Sequence, residues 1–238
     1  MKKNWWKILA VVFVAYAIIA GLLMDVPALP ILHESIRNLY FHVTMWFGMI
    51  ILLTVSVIYS IKFLSKANPN DDIVATESAN ISILLGSLGC MTGSIWAKFT
   101  WSQSDLFSIQ GWWVDDVKLN GAAITMLIYF AYLILRGSID DEQKRGRIAA
   151  VYNIFAYVMM LVFIGIYPRM HNSLHPGNGG NPGFGVYDVD KKMLLVFYPA
   201  IIGWTLLGVW MMSLRIRIGK LKMSELYNTS KIPGLHFE

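Results

Sequence analysis

One histidine lies where the second apolar run of the chain begins, and its surroundings suit a metal ligand. His42 stands within the segment 37–43 (RNLYFHV), and on a helix Met45 and Trp46 would share its face. An ionisable side chain at the edge of a membrane span, beside a thioether and an indole, could ligate a metal or a haem iron. An interfacial histidine bonded to a neighbouring carbonyl is the other interpretation of this residue taken alone.

A second candidate is the tryptophan-rich segment between the third and fourth apolar runs. An aromatic belt at the membrane–water boundary is one interpretation, but a belt needs only one or two rings at each span end. Here the rings are concentrated beside carboxylates. A flat aromatic shelf with polar ends predicts a site for a large planar ligand with anionic substituents. The segment contains Trp96, Trp101, Trp112 and Trp113, which are four of the nine tryptophans of the chain, and then Asp115, Asp116 and Lys118.

Two further histidines, His171 and His175, precede a glycine-rich stretch at residues 177–183. If residues 171–175 form a helical turn, the two imidazoles lie one turn apart and could make half of a zinc site. Alternatively, only one of them faces inward. The glycines predict a flexible loop rather than a phosphate cradle, because no strand precedes them and no Gly-Lys-Ser/Thr follows.

The elements that must position these side chains are six apolar runs. The chain has 238 residues, of which 56% are hydrophobic and 15% charged, and its mean hydropathy is +0.52. Runs of about 20 apolar residues without alternation predict membrane-spanning helices rather than barrel strands. We therefore expect an all-α, polytopic membrane protein with about six transmembrane helices, forming a single domain over residues 1–238. The runs cover residues 5–24, 41–64, 81–97, 119–135, 148–167 and 193–212.

The distribution of lysine and arginine predicts the orientation of these spans. With the N-terminus inside, the inner segments contain 14 of the 20 basic residues, which favours both termini in the cytoplasm. The first run is then a retained anchor rather than a cleaved signal, since it is too long and lacks a small-x-small cleavage site. The loops 25–40, 98–118 and 168–192 become external. Two imidazoles from different spans, His42 and His175, could then ligate one iron beside the indoles.

Other classes of protein are disfavoured by what the sequence lacks. Cys90 is the single cysteine, so there is no disulfide framework, no Cys-x-x-Cys pair and no Cys-x-x-Cys-His for covalent haem attachment. The net charge of +5 is spread over the loop ends and forms no basic stripe of the kind that binds nucleic acid.

Four motifs, in order along nearly the whole chain, carry a family resemblance. They are residues 37–43 (RNLYFHV), 92–98 (TGSIWAK), 112–119 (WWVDDVKL) and 172–175 (NSLH). On these motifs the chain resembles the haem-handling family of cytochrome c assembly proteins, and within it haem exporter protein C. The resemblance implies that His42 and His175 are the external axial ligands of the iron of haem b, and it ranks His33 and His171 below them. The expected haem-binding residues are His42, His175, Trp46, Trp96, Trp101, Trp112, Trp113, Asp116 and Lys118.

The resemblance also implies a role, and with it we expect a binding and transfer protein rather than an enzyme. Haem would be held on the external face of a bacterial inner membrane and passed to a periplasmic haem chaperone during cytochrome c maturation. ATP-driven transporter subunits and a small single-span helper would be its partners. The chain departs from the family pattern at Asp115, at Lys118 and in a stretch around residues 102–110 that looks inserted. Two other functions remain open at this point: a b-type electron-transfer subunit, and a transporter of haem or a small solute.

Overall fold

The protein is an all-helical bundle. The computed structural model describes residues 4–28, 32–102, 108, 109, 111–175 and 189–229, and side chains as far as Glu225. These residues contain no strand, and they form six helices that are long and apolar enough to cross a membrane. The predicted fold class is therefore confirmed. The helices are α1 (Trp5–Leu23), α2 (Leu39–Lys66), α3 (Pro69–Thr100), α4 (Val117–Gly137), α5 (Glu142–Met160) and α6 (Lys191–Thr229).

Several helices are longer than the apolar runs that predict them. Helix α3 has 32 residues and α6 has 39, because polar residues continue both helices beyond the apolar part. The first turn of α3 is stabilised by the side chain of Asn68, which accepts a hydrogen bond from the N–H of Asn70, and by Pro69 at its first position. The side chains of Asp116 and Asp141 likewise accept a backbone N–H in the first turns of α4 and α5.

Helix α5 does not end as a regular α-helix. It continues as a π-helical segment, Leu161–Ile166, and then as a 3₁₀ turn, Tyr167–Met170. At this level Gly121 of α4 lies against the segment, and a Cβ added there would be only 2.3 Å from the carbonyl oxygen of Phe163. Only glycine permits so close a backbone approach. The apolar run at residues 148–167 predicts a plain helix here, and π segments of this kind frequently occur at functional sites.

Successive helices cross the bundle in opposite directions, so that residues 32–38, 101–102, 111–116 and 167–175 come to the same end. We call this the histidine end. A 3₁₀ turn, His33–Asn38, leads into α2 there, and Arg37 donates hydrogen bonds to the carbonyls of Gly21 and Met24 at the end of α1. The first helix is thereby tied to the second.

The opposite half of the bundle is closed by polar and ionic contacts between helices. The amide of Asn153 donates hydrogen bonds to the hydroxyl oxygens of Ser56 and Ser60, at 2.8 and 2.9 Å. Beyond them, Arg136 of α4 makes a bidentate ion pair with Asp72 of α3, at 2.9 and 2.5 Å. Buried polar groups in a bilayer need such partners, because lipid offers none. The bundle is thus tightly held away from the histidine end.

Candidate functional site

A cavity of about 540 Å³ opens at the histidine end between α2, α3, α4, the π segment and the start of α6. Its wall is mostly apolar, and its size is that of an ordinary small-molecule site. Six of the nine residues predicted to bind a ligand line it: His42, Trp46, Trp96, Trp113, Lys118 and His175. Side chains from the second span, the tryptophan-rich loop and the loop after the fifth span therefore meet in one place.

His42 is held by the backbone of α3. Its Nδ1 lies 2.9 Å from the carbonyl oxygen of Gly89. Because a carbonyl can only accept, Nδ1 carries the proton, and Nε2 is the nitrogen with a lone pair for a metal. The ring fits against α3 because Gly93 has no side chain, since a Cβ there would be 2.6 Å from Cε1 of His42. Gly89 makes room for Trp46 in the same way.

His175 is held by a carboxylate. Its Nδ1 lies 3.1 Å from Oδ1 of Asp116. The hydroxyl of Ser173 lies 2.9 and 3.1 Å from the two oxygens of the same carboxylate, and the backbone N–H of Leu174 donates to it at 2.8 Å. The N–H of Lys118, at the start of α4, donates to Oδ1 at 2.8 Å. Asp116 thus joins the turn at residues 173–175 to the end of the tryptophan-rich loop.

The environment of Asp116 keeps its carboxylate ionised. Its side chain is only 2% exposed, and this burial raises the pKa. The hydrogen bonds from His175, Leu174, Ser173 and Lys118 lower the pKa by more, so that it falls well below its usual range. The carboxylate therefore accepts from the Nδ1–H of His175, and Nε2 of His175, like that of His42, is the nitrogen with the free lone pair.

The predicted aromatic shelf is divided into two parts. Trp96 and Trp113 line the cavity, and Trp101 packs beside it, with its ring centroid 4.7 Å from that of His175 and 4.8 Å from that of Trp96. Nε1 of Trp96 is buried and has no hydrogen-bond partner among the described residues. Trp112 does not line the cavity.

Three cationic side chains near the site have different positions. Lys118 and Arg169 line the cavity. Lys98 is 3% exposed, donates to the carbonyl of Ser108 at 3.1 Å and lies with its Nζ 5.8 Å from the ring centroid of Trp112, outside the cavity lining. The positive charge that an anionic ligand in this cavity would meet therefore comes from Lys118 and Arg169.

His171 and His175 do not come together as a pair of metal ligands. Residues 171–175 form no helical turn, and the backbone of His171 is extended. Its exposed ring bonds to the carbonyl of Tyr167 at 3.0 Å, while His175 turns towards Asp116. No cluster of three or more His, Cys, Asp or Glu side chains suited to a metal ion occurs within the described parts of the chain. His33 is exposed and does not line the cavity.

Some contributors to the site are not among the predicted residues. Gly89, Gly93 and the π-segment residues Ile164 and Gly165 line the cavity, and Ser173 helps to hold His175. The glycines have a visible signal, because their spacing of four residues is typical of helices that approach closely. The π segment and Ser173 have none. The glycine-rich stretch 177–183, and most of the stretch around 102–110, lie outside the described residues.

Comparison with known proteins identifies the family. The family model described as heme exporter protein C matches residues 2–229. The protein named heme exporter protein C in Bradyrhizobium diazoefficiens is 25% identical over 176 residues, which cover 74% of this chain and 63% of that protein. The Escherichia coli K12 protein of the same name is 24% identical over 187 residues, covering 77% and 70%.

A relative with a different name matches a shorter part of the chain. A cytochrome c biogenesis protein CcsA of Prochlorococcus marinus is 30% identical over 102 residues, which cover 43% of this chain and 29% of that protein. The chain thus spans less than two thirds of the length of the Bradyrhizobium protein and of CcsA. The family match, in contrast, extends over nearly all of the present chain, which therefore belongs to the heme exporter protein C family.

Proposed function

We propose that this protein binds haem in the cavity at the histidine end, with His42 and His175 as the two axial ligands, and delivers it for cytochrome c maturation. One observation carries the proposal. Two imidazoles, one from α2 and one from the turn that follows the fifth span, line one cavity, and each has its Nδ1 engaged, so each has Nε2 available for a metal. His42 and His175 would hold the iron, and they would supply it with two imidazole ligands.

The walls of the cavity fit a porphyrin. They are mainly apolar, and Trp46, Trp96 and Trp113 offer rings against which a large planar ligand can pack. The indole nitrogen of Trp96, for which the described residues provide no partner, could donate a hydrogen bond to an acceptor at the edge of such a ligand. The space left by Gly93 lets His42 lie against α3, where a larger residue would push the ring away.

The charges fit haem propionates. Lys118 and Arg169 line the otherwise apolar cavity and can neutralise two carboxylates. Lys98 is a weaker candidate, because it lies outside the cavity lining and already binds the carbonyl of Ser108. With no Cys-x-x-Cys-His motif for covalent attachment, the bound group would be non-covalent haem b.

The direction of delivery follows from the positive-inside rule. Among the residues that the structure describes, 11 basic residues lie on the side opposite the histidine end and 6 lie on the same side as that end, which favours cytoplasmic termini and a site facing the periplasm of a bacterial inner membrane. A site at the external mouth of the bundle suits transfer to a periplasmic haem chaperone. We propose ATP-driven transporter subunits and a small single-span protein as further partners. In this role the protein, as a single unit, is a haem carrier rather than an enzyme.

The direct test is substitution of the histidines in the full-length protein in detergent. We expect His42→Ala and His175→Ala each to convert a low-spin ferric spectrum to a high-spin one and to lower haem content, because each removes one of two axial bonds. His33→Ala and His171→Ala are matched controls outside the cavity and should retain the wild-type spectrum. Unchanged spectra in both test variants would refute the ligand assignment.

Transfer is tested separately. Wild-type protein loaded with haem should lose it to an excess of apomyoglobin or of a purified apo-chaperone, followed by the absorbance of the acceptor. Haem that is retained in the presence of acceptor, yet is rapidly reduced and reoxidised, would instead favour an electron-transfer subunit.

A further inference from the structure

We infer that Asp116 is a positioning residue for the axial ligand His175 and does not itself contact haem. The inference rests on the proposed function and gives a specific role to a residue of the tryptophan-rich loop. Motif comparison alone groups Asp116 with the neighbouring indoles as a haem-binding residue, but its geometry differs from theirs. Trp113 lines the cavity, whereas Asp116 lies behind it and is 2% exposed.

Both carboxylate oxygens of Asp116 are occupied by protein donors. Oδ1 lies within hydrogen-bonding distance of the N–H of Lys118 (2.8 Å) and of Nδ1 of His175 (3.1 Å), and Oδ2 of the N–H of Leu174 (2.8 Å). The hydroxyl of Ser173 reaches both oxygens. A buried carboxylate with this many donors has no reason to exchange them for a ligand, and it would repel an anionic one.

The carboxylate makes the two axial histidines unequal. His42 donates its Nδ1–H to the neutral carbonyl of Gly89, and His175 donates to a charged group. A carboxylate partner fixes the ring orientation and makes Nε2 a stronger electron donor to the metal than a neutral carbonyl does. His175 is therefore the more strongly donating ligand of the pair, and Asp116 is the cause.

The same carboxylate couples the position of the tryptophan-rich loop to iron coordination. Asp116 caps α4, follows Trp113 by three residues and binds the turn that carries His175. A change in the position of Asp116 would therefore be transmitted to His175.

The experiment compares Asp116→Asn with Asp115→Asn in the full-length protein. Both remove one charge from neighbouring positions, but Asp115 is exposed and bonds to Asn120, not to His175. An amide can turn its NH₂ group towards the imidazole and favour the wrong tautomer. We expect Asp116→Asn to weaken haem binding by about 10- to 100-fold and to raise the midpoint potential, with Asp115→Asn close to wild type.

A double-mutant cycle separates positioning from a general structural effect. Haem affinity is measured for the two variants in the His175→Ala background, where only His42 remains to bind the iron. Asp116→Asn should then have little further effect, because the residue through which it acts is gone. An equal loss of affinity with and without His175 would mean a purely structural role and would overturn the inference, as would wild-type affinity in Asp116→Asn.

A measurement without haem distinguishes this inference from the proposed function. In the haem-free protein, ¹⁵N spectra of labelled histidine, assigned with His175→Ala, should show the Nδ1–H tautomer of His175 in wild type and a mixture in Asp116→Asn. Failure of wild type to bind haem would refute the proposed function while leaving this result in place. An identical tautomer in the two proteins would refute the role of Asp116.

Discussion

His42 and His175 reach one cavity by different means. His42 is a helical residue whose ring lies against the backbone of α3, where Gly93 leaves room for it and the carbonyl of Gly89 accepts its hydrogen bond. His175 lies in an irregular turn between α5 and α6, and the carboxylate of Asp116 holds it there. The first histidine depends on how closely two helices pack, and the second on a network of side-chain and backbone donors.

Because the two histidines are held in different ways, we expect them to be disturbed by different substitutions. The partner of His42 is a main-chain carbonyl, which no substitution removes, so the first ligand is vulnerable mainly to added volume in α3. The partner of His175 is a side chain 59 residues away in sequence, so the second ligand is vulnerable to loss of charge or of a single hydroxyl. Substitutions that act on one histidine only should separate the two mechanisms.

The largest expected effect comes from adding one methyl group in α3. In Gly93→Ala the new Cβ would lie 2.6 Å from Cε1 of His42, so the ring must leave its position. We expect haem content to fall to the level of His42→Ala, with a high-spin ferric spectrum. Gly137→Ala, where a Cβ meets nothing within 4 Å, is the matched control. Normal haem content in Gly93→Ala would show that close packing against α3 is not needed.

A smaller effect is expected from the aromatic ring that packs on the second ligand. The ring centroid of Trp101 is 4.7 Å from that of His175, in an edge-to-face arrangement. Such a contact is worth about 0.5–1.5 kcal/mol, so Trp101→Leu should weaken haem binding by about 2- to 10-fold in a titration. Trp101→Phe should lose less. Trp112→Leu, in the same loop but outside the cavity lining, should lower haem affinity least. A larger loss of affinity there would contradict the placement of Trp112 outside the haem site.

The two histidines also differ in what the sequence can predict about them. The helix that carries His42 follows from an apolar run of transmembrane length, and the glycines opposite it follow from small-residue spacing. The position of His175 follows from neither, because an irregular turn has no periodicity. The motif resemblance separates Asp116 from the adjacent Asp115, but it predicts a haem contact for Asp116 and not a hydrogen bond to His175. Motif resemblance names the histidine, but only the folded chain gives its hydrogen bond to Asp116.

The part of the cavity wall that the π segment forms is likewise not predictable from the sequence. Residues 148–167 predict a regular helix, and nothing in their hydropathy indicates that Leu161–Ile166 forms a π segment. The segment packs against another helix, where Gly121 leaves room for the carbonyl of Phe163. Hydropathy predicts which residues cross the lipid, since that depends on composition. The shape of the cavity depends on contacts between distant residues, which composition does not encode.

The smallest expected effect concerns the hydroxyl that supports Asp116. Ser173 lies 2.9 and 3.1 Å from the two carboxylate oxygens and accepts the N–H of His175 at 3.1 Å. Ser173→Ala leaves the backbone donors of Leu174 and Lys118 in place, so the loss should be about 0.5–1 kcal/mol, or roughly two- to fivefold in haem affinity. Ser173→Thr, which keeps the hydroxyl, should restore binding.

The effect of Ser173 should also depend on the carboxylate. Because the hydroxyl acts through Asp116, Ser173→Ala combined with Asp116→Asn should bind haem about as weakly as Asp116→Asn alone. The two losses would be fully additive only if Ser173 acted on His175 by a separate route, such as the N–H that it accepts. Non-additivity here, together with additivity between Ser173→Ala and Gly93→Ala, would establish that the two axial ligands are held independently.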